Sequence, residues 1–331
     1  MLKYCIKRLL LSILILLGVS LILYILVSFM PVDYFENQIR NSLGGAVESN
    51  EAEVQAKLDA IKAYYGLDSN VFKGYLNWLT NLCKGDLGNS FVEKQPVEDV
   101  IFRDMGVSFG ISFVALILQL MIAIPLGIKC ACNQYGKLDY FVTVLTMIGI
   151  SFPTFFLGGI VKKIFASDLG WFEPIGLKSS LPMDASDWER FADMLWHLVL
   201  PMFVLVVLSI GGWMRYTRTN TLEVLNADYI RTARAKGLSE KSVVYKHVFR
   251  NTLIPLVTML AGTLPSLFGG AMITETVFDL PGIGNTAWKL MQAGDIPFIM
   301  GYNMFIAVLT IIGILLTDIM YAVVDPRVKL R

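Results

Sequence analysis

Charge is scarce in this chain. Of its 331 residues 17% are Asp, Glu, Lys or Arg and 55% are hydrophobic, whereas water-soluble domains carry about 25% charged residues. So few charges cannot cover a surface that faces water, and a mean hydropathy of +0.59 agrees. An ordinary soluble domain is excluded. Net charge is also lacking, since 28 Lys+Arg against 27 Asp+Glu leave +1, and no global field for nucleic acid exists. Histidine is almost missing, with only His197 and His247. No GxSxG elbow, HExxH pair, Walker loop or GxGxxG after a strand is present, so neither a nucleophile–base pair nor a phosphate cradle supports catalysis by this chain. His197, next to Trp196 at the end of an apolar run, reads as an interfacial residue, and His247 as a solvated one. Cys5, Cys83, Cys130 and Cys132 have no metal-finger or paired spacing and read as structural. Internal repeats and low-complexity tracts are absent.

What is abundant is long apolar sequence. A bilayer core about 30 Å thick takes about 20 apolar helical residues, because lipid offers no partner to an unpaired backbone group. Six stretches reach that length: residues 9–30, 107–128, 140–161, 195–214, 252–274 and 301–323. The first follows Lys3, Lys7 and Arg8 as a signal peptide would. Its run exceeds the ~7–15 residues of a signal core, and Ser28-Phe29-Met30-Pro31 has no small-x-small cleavage pattern, so it reads as an uncleaved span. The prediction is an all-α polytopic membrane protein with six transmembrane helices.

Charge alternates along these spans. Residues 1–8 hold three basic groups and no acidic one; segment 31–106 holds 7 basic and 12 acidic; segment 129–139 holds two basic and one acidic. Segment 166–194 has two basic and six acidic groups, segment 215–251 has 8 basic and 3 acidic, and segment 275–300 sets Lys289 against Glu275, Asp279 and Asp295. The tail sets Arg327, Lys329 and Arg331 against Asp325. Because basic loops stay inside, both termini and segments 129–139 and 215–251 are expected in the cytoplasm. Lys162 and Lys163, at the outer end of the third span, read as side chains reaching headgroups or as lining of a solute route.

The outer segment 31–106 reads as folded. Asn50-Glu51-Ala52-Glu53 resembles a capping box. Val54, Leu58, Ile61 and Tyr65 then recur at helical spacing before a stop at Gly66. Phe72, Tyr75, Leu76 and Leu79 predict a second helix ending near Gly85, and Gln95-Pro96-Val97 a third leading into the second span. Glu275 and Asp318 fall near span ends, where hydrogen bonding by water or a helix terminus can satisfy them, although a proton path is the alternative reading. Pro125, Pro153, Pro201, Pro255 and Pro265 predict kinks in four spans, which suits helices splayed around a cavity.

The richest stretch lies between the fourth and fifth spans: Asp228-Tyr229-Ile230-Arg231-Thr232-Ala233-Arg234-Ala235-Lys236-Gly237-Leu238. Helical spacing groups Tyr229, Ala233 and Lys236 on one face, and Ile230, Arg234 and Gly237 on another. Small residues between charges allow such a helix to lie in a protein groove, and Gly237 can turn the chain with positive φ. On physical grounds it is a docking helix or a lipid-surface helix.

This stretch, followed by Asn251-Thr252-Leu253-Ile254-Pro255, resembles the EAA loop of binding-protein-dependent ABC importer permeases, of the oligopeptide/dipeptide/nickel family. Gly85-Asp86-Leu87-Gly88-Asn89-Ser90 resembles the family's GDLG-S element. Glu275 to Gly284 resembles E-x-x-F-x-x-P-G-x-G, Asp295-Ile296-Pro297 the D-x-P, and Asp325-Pro326-Arg327 the D-P-R. Arg231, Thr232, Ala233 and Gly237 align with E-A-A and its glycine, with Arg in place of the acid. The resemblance implies a type I ABC importer transmembrane fold. Residues 1–105 would be an N-terminal extra span with a helical outer loop, 106–323 the core with coupling loop 215–251, and 324–331 a cytoplasmic tail. It further implies a second homologous permease, two cytoplasmic ATPases that hold ATP and Mg²⁺, and an external solute-binding protein, with no cofactor or metal bound by this chain. Peptides are the expected cargo, and a nickel chelate, an opine or another small amide the alternatives. A stand-alone secondary transporter or channel would require intramembrane charge pairs or an inverted repeat, and an intramembrane enzyme a catalytic pair; neither is visible in the sequence. Substituting Gly237 by Asp is expected to uncouple transport while leaving insertion intact.

Overall fold

The computed structural model describes residues 2–42, 51–66, 70–179, 182 and 184–324. Its regular structure is helical, with one isolated antiparallel bridge between Asn89 and Pro96. The first long helix, α1 (Leu2–Ser28), is followed by a layer of three shorter ones, α2 (Val32–Ser42), α3 (Glu51–Tyr65) and α4 (Val71–Cys83). Helix α5 (Val97–Cys132) starts directly after Pro96, as the sequence predicts, and runs without a break through the second expected span. Two shorter helices, α6 (Lys137–Ser151) and α7 (Thr154–Val161), end in a π-helical turn over Lys162–Asp168. Helix α8 (Asp187–Leu225) opens with a capping box in which Ser186 and Glu189 satisfy each other's free amides. There follow α9 (Asp228–Ala235), a single turn α10 (Glu240–Ser242), a π-helical turn Val243–Val248 and α11 (Phe249–Gly269). Helices α12 (Met272–Val277), α13 (Ile283–Gln292) and α14 (Ile296–Val324) complete the chain.

Five helical stretches are long and apolar enough to cross a membrane, and the bent pair α6–α7 brings the number to six. This is a multi-pass membrane protein. The third span turns far more sharply than the kink expected at Pro153: α6 and α7 meet at 100°. Pro153 brings no amide donor and forces Phe152 into extended backbone (φ −78, ψ 129), so the helix must end there. The other four prolines sit inside continuous helices. The fifth span is also interrupted, at Gly270 (φ +79), between α11 and α12.

Helix α5 packs along α8 and against α11, and α11 lies on α14. Leu116, Ala123, Trp213, Met214, Leu256 and Leu267 close the centre where α5, α8 and α11 meet. Helix α1 leans on α14, and Arg8 Nε lies 3.3 Å from Asp318 Oδ2 at the shared end of these two helices. Asp318 is therefore held by an ion pair between spans, a pair that the sequence alone did not reveal.

The layer α2–α4 covers the other end of α1 and α14 through Tyr24, Phe35, Ile39, Trp78, Met300 and Met304. Helix α2 was not anticipated, although Phe35 and Ile39, both buried, stand one turn apart in it. Helix α3 stops at Gly66 (φ +63) as expected. Asn50 of the supposed capping box lies outside the described residues, as does the Asp325-Pro326-Arg327 motif.

Candidate functional site

Two assemblies of polar and charged residues stand at opposite ends of α5, which is about 54 Å long at 1.5 Å per residue. The first is built on α9. Helix α8 ends at Leu225, and the Ala227 amide donates to the Val224 carbonyl (3.0 Å) as the chain turns into α9. Ile230 is fully buried and Ala233 nearly so, against Val243 and Val248 of the π-helical turn and against Val224 and Leu225. This corrects the faces read from the sequence. Ile230 and Ala233, three residues apart, share the inward face, so Ala233 packs and does not present itself. Asp228, Tyr229, Arg231, Thr232, Arg234, Lys236, Gly237 and Leu238 are all exposed.

Part of the exposed set is tied down by hydrogen bonds. Thr232 Oγ1 donates to the Asp228 carbonyl (3.0 Å), and Arg234 Nε donates to Glu240 Oε1 (2.7 Å) across the turn that follows. Gly237 makes that turn with φ +77, while its amide donates to Arg234 O (2.9 Å) and the Leu238 amide to Ala233 O (3.4 Å). These bonds close the carbonyls that the helix end leaves open. Arg231 lies 3.8 Å from Asp228, but both side chains are largely solvated and the pair adds little. The helix is therefore a rigid polar surface bolted by two apolar side chains to the root of α11. A cavity of about 800 Å³ opens beside it, lined among others by Lys129, Asn226, Arg234, Glu240 and Phe249. Glu240 and Lys129 escaped the sequence reading, which had no means of pairing Glu240 with Arg234. Nearby, Arg218 grips Asp139 with two 2.7 Å bonds and ties α8 to the start of α6.

The second assembly gathers motifs far apart in the sequence. Asp295 Oδ2 accepts from Ser90 Oγ (2.6 Å) and from the Val92 amide (3.0 Å), and its Oδ1 from the Phe298 amide (3.2 Å). Burial raises the Asp295 carboxyl above the ordinary carboxylate range, while the bonds from Ser90 and from these amides oppose the rise. Gly88 accepts from the Val97 amide (2.9 Å), which fixes the 85–90 loop at the start of α5.

Glu275 is wholly buried; Oε1 accepts from the Ala271 amide (2.9 Å) and Oε2 from the Asn285 amide (3.1 Å). It thus stitches the break at Gly270 to the loop 278–285, a structural use of its two carboxyl oxygens. Ser108 of α5 accepts from the Ile283 amide (2.8 Å), and Thr286 donates to Asp104 (2.6 Å). Asp279 (φ +47) accepts from Lys289 (2.8 Å) and Asn285 (3.0 Å), and these bonds hold its carboxyl below the usual range.

Lys162 and Lys163 also find partners. Lys162 Nζ donates to the Val277 carbonyl at the end of α12 (2.9 Å), where a helix terminus attracts a cation. Lys163 pairs with Asp168 (2.8 Å). His197 is buried within the protein, with its Nδ1 2.9 Å from the Asp193 carbonyl, whereas its neighbour Trp196 is exposed and stacks on Phe172. Among the described residues no three His, Cys, Asp or Glu side chains gather as a metal site.

An extra N-terminal helix, a broken third span and an anchored basic loop after the fourth span are thus in place. Residues 1–112 match the N-terminal membrane component of binding-protein-dependent transport systems, and residues 123–330 match the inner membrane component of the same systems. The chain belongs to this transporter family. Relatives span its full length. It is 37% identical over 330 residues to the oligopeptide transport system permease protein AppB of Bacillus subtilis, covering 99% of this chain and 100% of that one. It is 36% identical over 330 residues to a putative peptide permease protein of Brucella suis, with 99% of each chain covered. It is 30% identical over 344 residues to the dipeptide transport system permease protein DppB of Alkalihalophilus pseudofirmus, covering 99% of this chain and 100% of that one.

Proposed function

We propose that this chain is one of two permease subunits of an ATP-driven importer of peptides in the cytoplasmic membrane of a prokaryote. The names of the full-length relatives support the peptide cargo. The alternation of basic and acidic loops supports an orientation with both termini and α9 in the cytoplasm and α2–α4 outside. Residues 106–323 would form the transport core, and residues 1–105 an added span with its outer helical layer.

The observation that carries the mechanism is the mounting of α9. Ile230 and Ala233 seat it against Val243 and Val248 at the root of α11, and its polar residues all point away. A force applied to Tyr229, Arg231 or Lys236 would reach α11 as a rigid displacement, because two buried side chains leave little slack. Two separate ATPase subunits alone would hold ATP and Mg²⁺, and one of them would receive α9 in a surface groove and draw it inward on closing. The spans would then alternate between inward- and outward-facing states, and an external binding protein would deliver the peptide to the open cavity. Coupling requires only that ATP and the α9 contact favour the same state. Purification of the tagged chain from its native membrane tests this reading. ATPase subunits and a homologous permease should accompany it, and transport in vesicles should need the external protein loaded with peptide. Recovery of the chain alone, or transport without ATP, would refute it.

A further inference from the structure

Helix α4 belongs to the layer outside the spans in sequence, yet it packs deep along one of them. The span in α1 runs from Ile6 to Ser28. Tyr75 of α4 has its hydroxyl 2.8 Å from Ser20 Oγ and 3.4 Å from the Leu17 carbonyl. Ser20 lies eight residues before Ser28, about 12 Å along the helix axis, and Leu17 stands at the middle of that span. Tyr24, about 6 Å from the end of the span, donates to the Tyr65 carbonyl (2.6 Å), and its ring centroid lies 5.8 Å from that of Trp78. Gly74 makes this approach possible, since a Cβ there would collide with the Tyr24 hydroxyl. The contact therefore starts well below the level where α1 leaves the apolar layer.

The other side of α4 has no cover. Phe72 is 68% exposed, Val71 52% and Leu76 44%. The span of α1 that α4 packs against exposes large apolar side chains as well, Ile22 and Leu26 among them. Two of its polar residues are satisfied within the helix, while Lys73 and Asn77 stand exposed beside Phe72 and Leu76. Thr80 Oγ1 returns its hydrogen bond to the Leu76 carbonyl (2.7 Å), and Asn70 caps the helix by accepting from the Phe72 amide (3.1 Å). Lys73 carries its charge on a long stem that can reach headgroups.

We propose that α4 is an interfacial membrane helix, with Phe72 and Leu76 among lipid acyl chains, so that the layer α2–α4 is anchored in the bilayer and not carried above it. Amphipathic helices held in this way bury their apolar face about 5–10 Å below the headgroup boundary, and the Tyr75 hydroxyl reaches deeper still, to Ser20 about 12 Å in from the end of the span. The layer then forms a fixed rim around the mouth of the transport core.

The test uses the assembled importer in phosphatidylcholine–phosphatidylglycerol vesicles. Native cysteines are replaced by serine, and a bimane label is placed on Phe72→Cys, on Leu76→Cys, or on Gln55→Cys in the polar face of α3, where Gln55 pairs with Asp59. Doxyl groups on lipid acyl chains should quench the two α4 labels and iodide should not, whereas Gln55→Cys should behave in the opposite way. The ratio of acyl-chain to iodide quenching should be several-fold higher for both α4 labels than for Gln55→Cys, because an amphipathic helix buries its apolar face among acyl chains. Quenching of the α4 labels by iodide to the level of Gln55→Cys would overturn the proposal. So would protection from both quenchers, the mark of a covering protein subunit. Two independent label positions guard against a local effect of either probe.

Discussion

Substitution of Gly237 separates backbone geometry from contact at the proposed coupling helix. The residue has φ +77, and a Cβ built there meets nothing within 4 Å. Steric collision is therefore absent, and the whole cost of a side chain is conformational. The left-handed region costs an ordinary L-residue about 1–2 kcal/mol, Asn and Asp less, and β-branched residues more. A cost of this size lowers the population of the closed turn about 5- to 30-fold. When the turn opens, the bonds from the Gly237 and Leu238 amides to Arg234 and Ala233 are lost, and the Arg234–Glu240 bridge across the turn loses its geometry. In vesicles holding the complete importer, Gly237→Val should reduce peptide uptake per ATP hydrolysed about 5- to 30-fold, with membrane insertion unchanged. Gly237→Asn should stay near the wild type. Gly237→Asp, the substitution suggested by the sequence, mixes tolerated backbone with a new negative charge beside Arg234, so it is the less decisive variant. Normal coupling in the Val variant, or equal damage from Asn and Val, would refute the reasoning.

Ile230→Ala empties a fully buried site and should destabilise the α9 mount by about 2–5 kcal/mol. Hydrogen exchange should speed up across residues 228–238, while Tyr229→Ala, on the exposed face, should leave exchange unchanged. Glu275→Gln keeps shape but turns an amide NH₂ toward one of two backbone donors, an unsatisfied buried contact worth about 1–3 kcal/mol; thermal unfolding of the purified complex should fall accordingly, and an unchanged transition would contradict the assigned hydrogen bonds. The loop 279–285 should respond to acid. Because Lys289 and Asn285 lower the Asp279 carboxyl, its stabilising contribution is complete above the ordinary carboxylate value and is lost as pH falls through the lower folded value. Exchange protection of the loop should therefore drop below about pH 4 in the wild type, and Lys289→Gln should shift that drop to higher pH.

Much of the fold could be read from the chain because lipid imposes a length rule on apolar runs. Helices α1, α5, α8 and α14 fall where that rule places them. It also placed the third and fifth spans, but not the full extent of the breaks inside them: a kink was expected at Pro153 where the helices meet at 100°, and hydropathy, which counts side chains, does not report the positive φ of Gly270. The helix α2 was missed because its apolar residues, Phe35 and Ile39, are too few to stand out beside an apolar run. The location of α9 was legible from its charge pattern, yet its buried face was not. Periodicity alone put Ile230 with Arg234, and only the presence of Val243 and Val248 decides that Ile230 and Ala233 turn inward. The bonds of Asp295 to Ser90 and of Asp104 to Thr286 join residues about two hundred positions apart, which no local pattern encodes. The motifs were visible one by one, and their meeting was not.

Crosslinking from α9 is the most direct test of coupling. A photoreactive side chain at Arg231, which is 73% exposed, should join this chain to an ATPase subunit in the assembled importer, with a yield that changes when ATP closes the ATPase pair. A probe at the buried position Ile230 should not react. Crosslinks from Arg231 to lipid alone, or to a protein on the other face of the membrane, would contradict the account.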